Sequence, residues 1–185
     1  MKKNVIVFGL ISGLIVSGLM VLFTTMHYDN PDFSGSMLLG YASMILAFAF
    51  VFVGTKNYRD KYNGGTISFG KAFKIGILIT LVSSTMYVLT WLVEYYVFLP
   101  DFMEKYTVQA LEEARASGAS AAEIEQQAAE MAGYSEMYKN PLFVVLLTYA
   151  EIFPIGLLMT LISSFILKRK PQLSDNKEIH AAPEI

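Results

Sequence analysis

The chain has 185 residues, 54% of them hydrophobic and only 16% charged, with a mean hydropathy of +0.45. Soluble domains carry about 25% charged residues, so this deficit marks a membrane protein. No cysteine is present, which excludes disulfides, thiol nucleophiles and cysteine-ligated zinc or iron–sulfur sites. A formal charge of −2 leaves no basic face for nucleic acid. The two histidines, His27 and His180, lie far apart, so neither a metal nor a cofactor is expected.

Four apolar runs, residues 5–26, 37–53, 75–98 and 142–167, reach or approach the roughly 20 residues that cross a hydrocarbon core of about 30 Å. The fold class that follows is an all-α membrane protein with four transmembrane helices. The first run follows a basic start, but it exceeds the usual 7–15 residues of a signal-peptide core, and no small-residue cleavage site follows it. It reads as a retained span. Residues 1–170 form one transmembrane domain, and residues 171–185 form a polar, flexible cytoplasmic tail.

Alternation of sides places eleven basic residues on one face: Lys2, Lys3, Lys56, Arg59, Lys61, Lys71, Lys74, Lys168, Arg169, Lys170 and Lys177. The opposite loops hold three, Lys105, Arg115 and Lys139. The positive-inside rule then puts both termini in the cytoplasm.

The first connection, "HYDNPDFSGS", carries Asn-Pro and Ser-Gly turn signals. In the second, Asn63-Gly64-Gly65 should turn the chain, and Ser68 should cap the third helix. Residues 100–141 are rich in Ala, Glu and Gln, which favour helix. Ser117-Gly118 interrupts them, and Ser120 with Glu123 spells a capping box. An extramembrane helical hairpin is expected there, with Gly133 just past the end of its second helix. Small residues recur at intervals of four, Gly9-Gly13-Ser17 and Gly76-Thr80-Ser84, where helices must approach closely.

"LLTYAEIFPIGLLM", residues 146–159, sets Glu151 and then Pro154 inside the fourth span. At a rise of about 1.5 Å per residue, Glu151 stands about 25 Å above Lys168, in the outer leaflet. Glu94 stands about 30 Å above Lys74, and His27 closes the first span at a similar height. Trp91, Tyr95, Tyr96, Tyr28 and Tyr149 share this layer, as an interfacial aromatic belt would.

Intramembrane carboxylates are costly and turn toward the bundle interior or water, so Glu94, Glu151 and His27 together make a candidate polar niche. Two readings stand: a structural hydrogen-bond cluster, or a site that handles protons or a ligand. Pro154 removes a helix hydrogen bond, frees the Ala150 carbonyl and is expected to kink the span.

Gly65-x4-Gly70-Lys71 imitates a phosphate-binding loop. However, no strand precedes it, and Ala72 stands where the magnesium-binding Ser or Thr belongs. A basic turn is the simpler reading.

The stretches "NYRDKYNGGTISFGKAFKIG", "PDFMEKY", "ASGASAAEIE", "YKNPL" and "EIFPIGLL", in this order and spacing, resemble the bacterial membrane family termed domain of unknown function 4199. The resemblance implies a four-span protein of the bacterial inner membrane with no assigned activity, and it lends no functional residues. The expected function is therefore a non-enzymatic accessory, assembly or sensing role. The lipid bilayer, a second copy or another membrane protein are the expected partners. The alternative is a small oligomeric transporter or channel lined by Glu151 and Glu94. A third reading is an intramembrane enzyme using the two carboxylates as acid and base. Whether the three polar residues meet, and whether the space between them opens, separates these readings.

Overall fold

A computed structural model describes residues 1–28 and 34–169, without the side chains of residues 27 and 34–37. Six α-helices follow in order: α1 (Lys2–His27), α2 (Ser34–Tyr62), α3 (Phe69–Val93), α4 (Phe102–Ala116), α5 (Ala121–Met137) and α6 (Pro141–Leu167). A π-helical turn, Glu94–Phe98, prolongs α3. Four stretches are long and apolar enough to cross a membrane: Lys2–Met26, Leu38–Tyr62, Phe69–Phe98 and Pro141–Leu167. They are the four expected spans.

Their ends differ from expectation in instructive ways. α2 continues past residue 53 to Tyr62, carrying the polar run 56–62 as helix. Ser34 and Gly35 open α2 instead of forming a turn. Asn30-Pro31 and the 171–185 tail lie outside the described residues. At the far end of α2 the chain reverses at Gly64 and Gly65, whose φ angles of 61° and 75° suit glycine. The Ser68 hydroxyl then accepts a hydrogen bond from the Lys71 backbone N–H, capping α3. The Lys71 ammonium bonds Asn63 Oδ1 at 2.6 Å, which ties up the lysine of the would-be phosphate loop.

α3 packs between α1 and α6, and α2 closes the other side against the same two helices, so α1 and α6 occupy opposite corners. Val16, Phe48, Val51, Ile75, Ile79 and Ile152 are fully buried where the four helices meet. Lipid tails are as apolar as these side chains, so association depends on close approach and hydrogen bonding.

Both are present. A Cβ built on Gly9 would stand 2.7 Å from Val82, and one on Gly13 would stand 2.5 Å from Met86, so this stripe seats α1 on α3. Gly76 and Thr80 meet Thr160 and Gly156 of α6 in the same fashion. The small-residue stripes are spent within the chain. Along the same seams the Ser12 hydroxyl donates to the Ala47 carbonyl, and Ser83 donates to Ser12. Asn4 donates to the Gly54 carbonyl, and Thr80 donates to the Gly156 carbonyl. At the end that holds Met1, Ile67 and Arg169 exchange two backbone hydrogen bonds of 3.1 and 2.8 Å, fastening the α2–α3 connection to the end of α6. The sequence carries no signal for this clasp.

At the other end α4 and α5 pack on each other across a turn in which Gly118 has φ 86°. The capping box is formed: Ser120 Oγ accepts from the Glu123 N–H, and the Glu123 carboxylate accepts from the Ser120 N–H at 2.7 Å. Gly133 does not end α5, which runs on to Met137; Tyr134 and Tyr138 prolong the apolar face that holds it.

Ser120→Ala should destabilise the helix pair by about 1 kcal/mol. Faster amide exchange at residues 121–125, with the four spans unchanged, is the expected reading. These same hydrogen bonds hold the Glu123 carboxyl below the usual carboxylate range. The sign follows from that depression. Its contribution is present above the unfolded-state pKa and fades as pH falls through the folded-state value, so the protection of these amides relative to their intrinsic exchange rate should fall in acid.

Candidate functional site

α4 and α5 do not seal the bundle end over which they lie. A cavity of about 520 Å³ remains beneath them, and every helix contributes to its wall. α1 supplies Met20, Phe23 and Thr24, and α2 supplies Tyr41, Ser43 and Met44. α3 contributes Tyr87 and Trp91, one helical turn apart, and α6 contributes Leu147, Thr148 and Glu151 on one face. From above come Phe102, Met103 and Tyr106 of α4, then Met131 and Tyr134 of α5, with Tyr138 just beyond. Eight aromatic and four methionine side chains thus surround one carboxylate.

The roof is fastened on two sides. The Tyr28 hydroxyl, past the end of α1, donates to Asp101, which also pairs with Lys105 Nζ at 3.4 Å. That ammonium stands 3.7 Å from the centre of the Tyr28 ring, so cation and aromatic face add to the fastening. On the other side the Tyr96 hydroxyl donates to the Tyr138 carbonyl at 3.0 Å. Trp91 meets Phe102 edge-on at 5.1 Å, and Tyr95 meets Tyr138 at 5.3 Å.

Glu151 is exposed on α6 and stands in the cavity wall, beside Thr148 and the buried Ile152. No described basic side chain pairs with it. Its charge reaches the roof. Burial first, and Glu151 second, push the Tyr138 phenol up to about 12, so Tyr138 remains a neutral hydroxyl near pH 7.

Glu94 is placed differently. It is 7% exposed, it does not line the cavity, and its Oε2 has no hydrogen-bond partner among the described residues. It sits where α3 gives way to the π turn, its carbonyl accepting from the Leu99 N–H at 3.0 Å. No hydrogen bond joins Glu94 to Glu151. His27 is the last residue of α1, one turn beyond Thr24, and its side chain is outside the described residues. Pro154 is exposed within α6, and helix continues on both sides of it. A single lining carboxylate is no chelating set for a metal ion.

Sequence reasoning singled out Glu151 and read Trp91 only as part of an interfacial belt, and it did not foresee the cavity. Tyr87, Tyr134 and Tyr138 carried the available signal: tyrosines repeating with Trp91, or with each other, at helical spacing.

Fold and site together define an all-α protein with four membrane-spanning helices, hollowed at one end around a carboxylate. The chain belongs to the family described as "Protein of unknown function (DUF4199)", which it matches over residues 7–169. No curated protein and no solved structure matches it.

Proposed function

We propose that this protein is a non-enzymatic binding protein of the bacterial inner membrane, with a sensing or accessory role. Its cavity takes a small, largely apolar ligand. The observation that carries this reading is the cavity itself, at about 520 Å³, lined mainly by aromatic and methionine side chains, with Glu151, Ser43, two threonines and the tyrosine hydroxyls as its polar groups. Ligand sites typically span ~300–1,000 Å³ with that kind of lining. The eleven-to-three basic asymmetry supports termini in the cytoplasm and residues 100–141, hence the cavity, on the periplasmic side.

Binding is favoured over conduction by what lies below the cavity. Val16, Phe48, Ile79 and Ile152 close the bundle without residual exposure, so a continuous path through one chain would have to part a packed core. A transporter built on this chain would need a second copy to supply the path.

The chain's single tryptophan, Trp91, lies in the cavity wall and reports on it directly. Energy transfer from Trp91 to the neutral dye N-phenyl-1-naphthylamine should show a saturable component in the detergent-solubilised protein. Filling the space with Ser43→Trp would confuse the signal, so Ser43→Leu is the control, and it should remove that component. Transfer that rises only linearly with dye, as partition into the micelle does, would refute ligand binding.

A further inference from the structure

The composition of the cavity wall says more than its size. Among the described residues it carries one carboxylate, Glu151, and no lysine or arginine. Glu151 has neither an ion-pair partner nor a hydrogen bond from a described side chain, so its charge is left for whatever enters. Lys105, a basic group of the roof helix α4, is engaged with Asp101 and the Tyr28 ring. Around Glu151 stand Tyr41, Tyr87, Trp91, Tyr134 and Tyr138, whose π-faces attract weakly hydrated cations.

We propose that the cavity is selective for organic cations, molecules with an ammonium or similarly diffuse positive centre on an apolar body. The positive centre is held at Glu151, and the body lies among the aromatic and methionine side chains. This rests on the binding role proposed above and names the ligand class for the same cavity.

The alternatives fit the wall less well. An anion would meet the Glu151 charge with no lysine or arginine among the described wall residues to offset it. A sugar or nucleoside would bring several polar groups to a wall whose Ser43, Thr24 and Thr148 hydroxyls already donate to helix carbonyls, and unpaired polar groups in a largely apolar site are costly. An inorganic cation would keep its water shell, because one carboxylate cannot replace it. A diffuse organic cation loses little hydration and gains both the counter-charge and the rings. Charge pairing is also stronger in a cavity walled by apolar groups than in water.

Two probes of similar size separate the ligand class from the binding role: methyltriphenylphosphonium, a diffuse cation, and triphenylmethanol, which is neutral. Each is titrated into the full-length protein in a neutral detergent while Trp91 fluorescence is followed. Saturable binding of the cation at least about tenfold tighter than of the alcohol is expected. Glu151→Gln, which keeps the shape and removes the charge, should erase that preference and leave triphenylmethanol binding as it was. Glu94→Gln should leave both unchanged, since Glu94 lies outside the cavity wall.

Equal affinities for the two probes, or a cation preference that survives Glu151→Gln, would overturn the ligand class while leaving a cavity that binds apolar molecules. Absence of a saturable response to either probe would overturn the binding role and the ligand class with it. Should Glu151→Gln fail to fold, the wild-type comparison still decides: a cation no tighter than the alcohol refutes the proposal.

Discussion

Gly156→Ala should weaken the folded protein sharply, whereas Gly133→Ala should strengthen it. Both replace a helical glycine, and intrinsic propensity alone would favour both changes by up to about 1 kcal/mol. The surroundings reverse the first. A Cβ at Gly156 would lie 2.4 Å from Thr80 Cγ2 and 2.8 Å from Phe48 Cζ. Neither neighbour can retreat easily. Phe48 is fully buried, and Thr80 is tied by its hydroxyl to the Gly156 carbonyl and to Thr160.

Overpacking of this kind costs about 1–3 kcal/mol, and it falls here on the junction of α2, α3 and α6. At Gly133 nothing stands within 4 Å of the added carbon. Denaturant titration in detergent, followed by helical circular dichroism, measures the difference. A midpoint for Gly156→Ala at or above that of the wild type would mean that α3 and α6 are not in the close contact described.

Glu94→Met should stabilise the protein. Glu94 is buried, and one carboxylate oxygen has no partner among the described residues. Leaving a buried polar atom unsatisfied costs about 1–3 kcal/mol, and an apolar replacement of similar length removes that cost. Methionine is unbranched and flexible, so it can follow the space left by the carboxylate. A gain of about 1 kcal/mol or more by thermal unfolding is expected, with dye binding to the cavity retained. A loss of stability on this substitution would mean that the carboxylate is satisfied by a group that Met cannot serve, and Glu94 would then be a structural anchor.

How far the sequence went is clearest at particular residues. The four apolar runs, the glycine turn at 63–65, the Ser68 cap and the Ser120–Glu123 capping box were all legible, because each depends on neighbours within a few positions. The polar run 56–62 reads as a loop by composition, yet it is helix: intrahelical hydrogen bonds do not require an apolar face, and Tyr58 is still buried.

Gly133 looked like a terminator because glycine is favoured just after helices, but α5 runs past it to Met137, with Tyr134 and then Tyr138 in the cavity wall. The cavity was the least legible feature. Trp91 and the tyrosines fit an interfacial belt by their height alone. Which of them turn inward depends on how α4 and α5 are laid over the bundle, and that is set by contacts far apart in sequence, such as Tyr28 with Asp101 and Tyr96 with Tyr138. Glu151 was visible as an anomaly. That Glu94 is buried outside the cavity wall was not.

The proposed function requires a water-accessible cavity at Glu151 that faces the cell exterior above a packed core. The absence of native cysteine makes single-cysteine variants unambiguous reporters of it. Glu151→Cys and Ile152→Cys differ by one position on α6, one in the cavity wall and one fully buried beside it. In intact cells, a small membrane-impermeant methanethiosulfonate should label Glu151→Cys rapidly and Ile152→Cys hardly at all. Labelling of Glu151→Cys only after the membrane is permeabilised, or equal labelling of both positions, would contradict the claim.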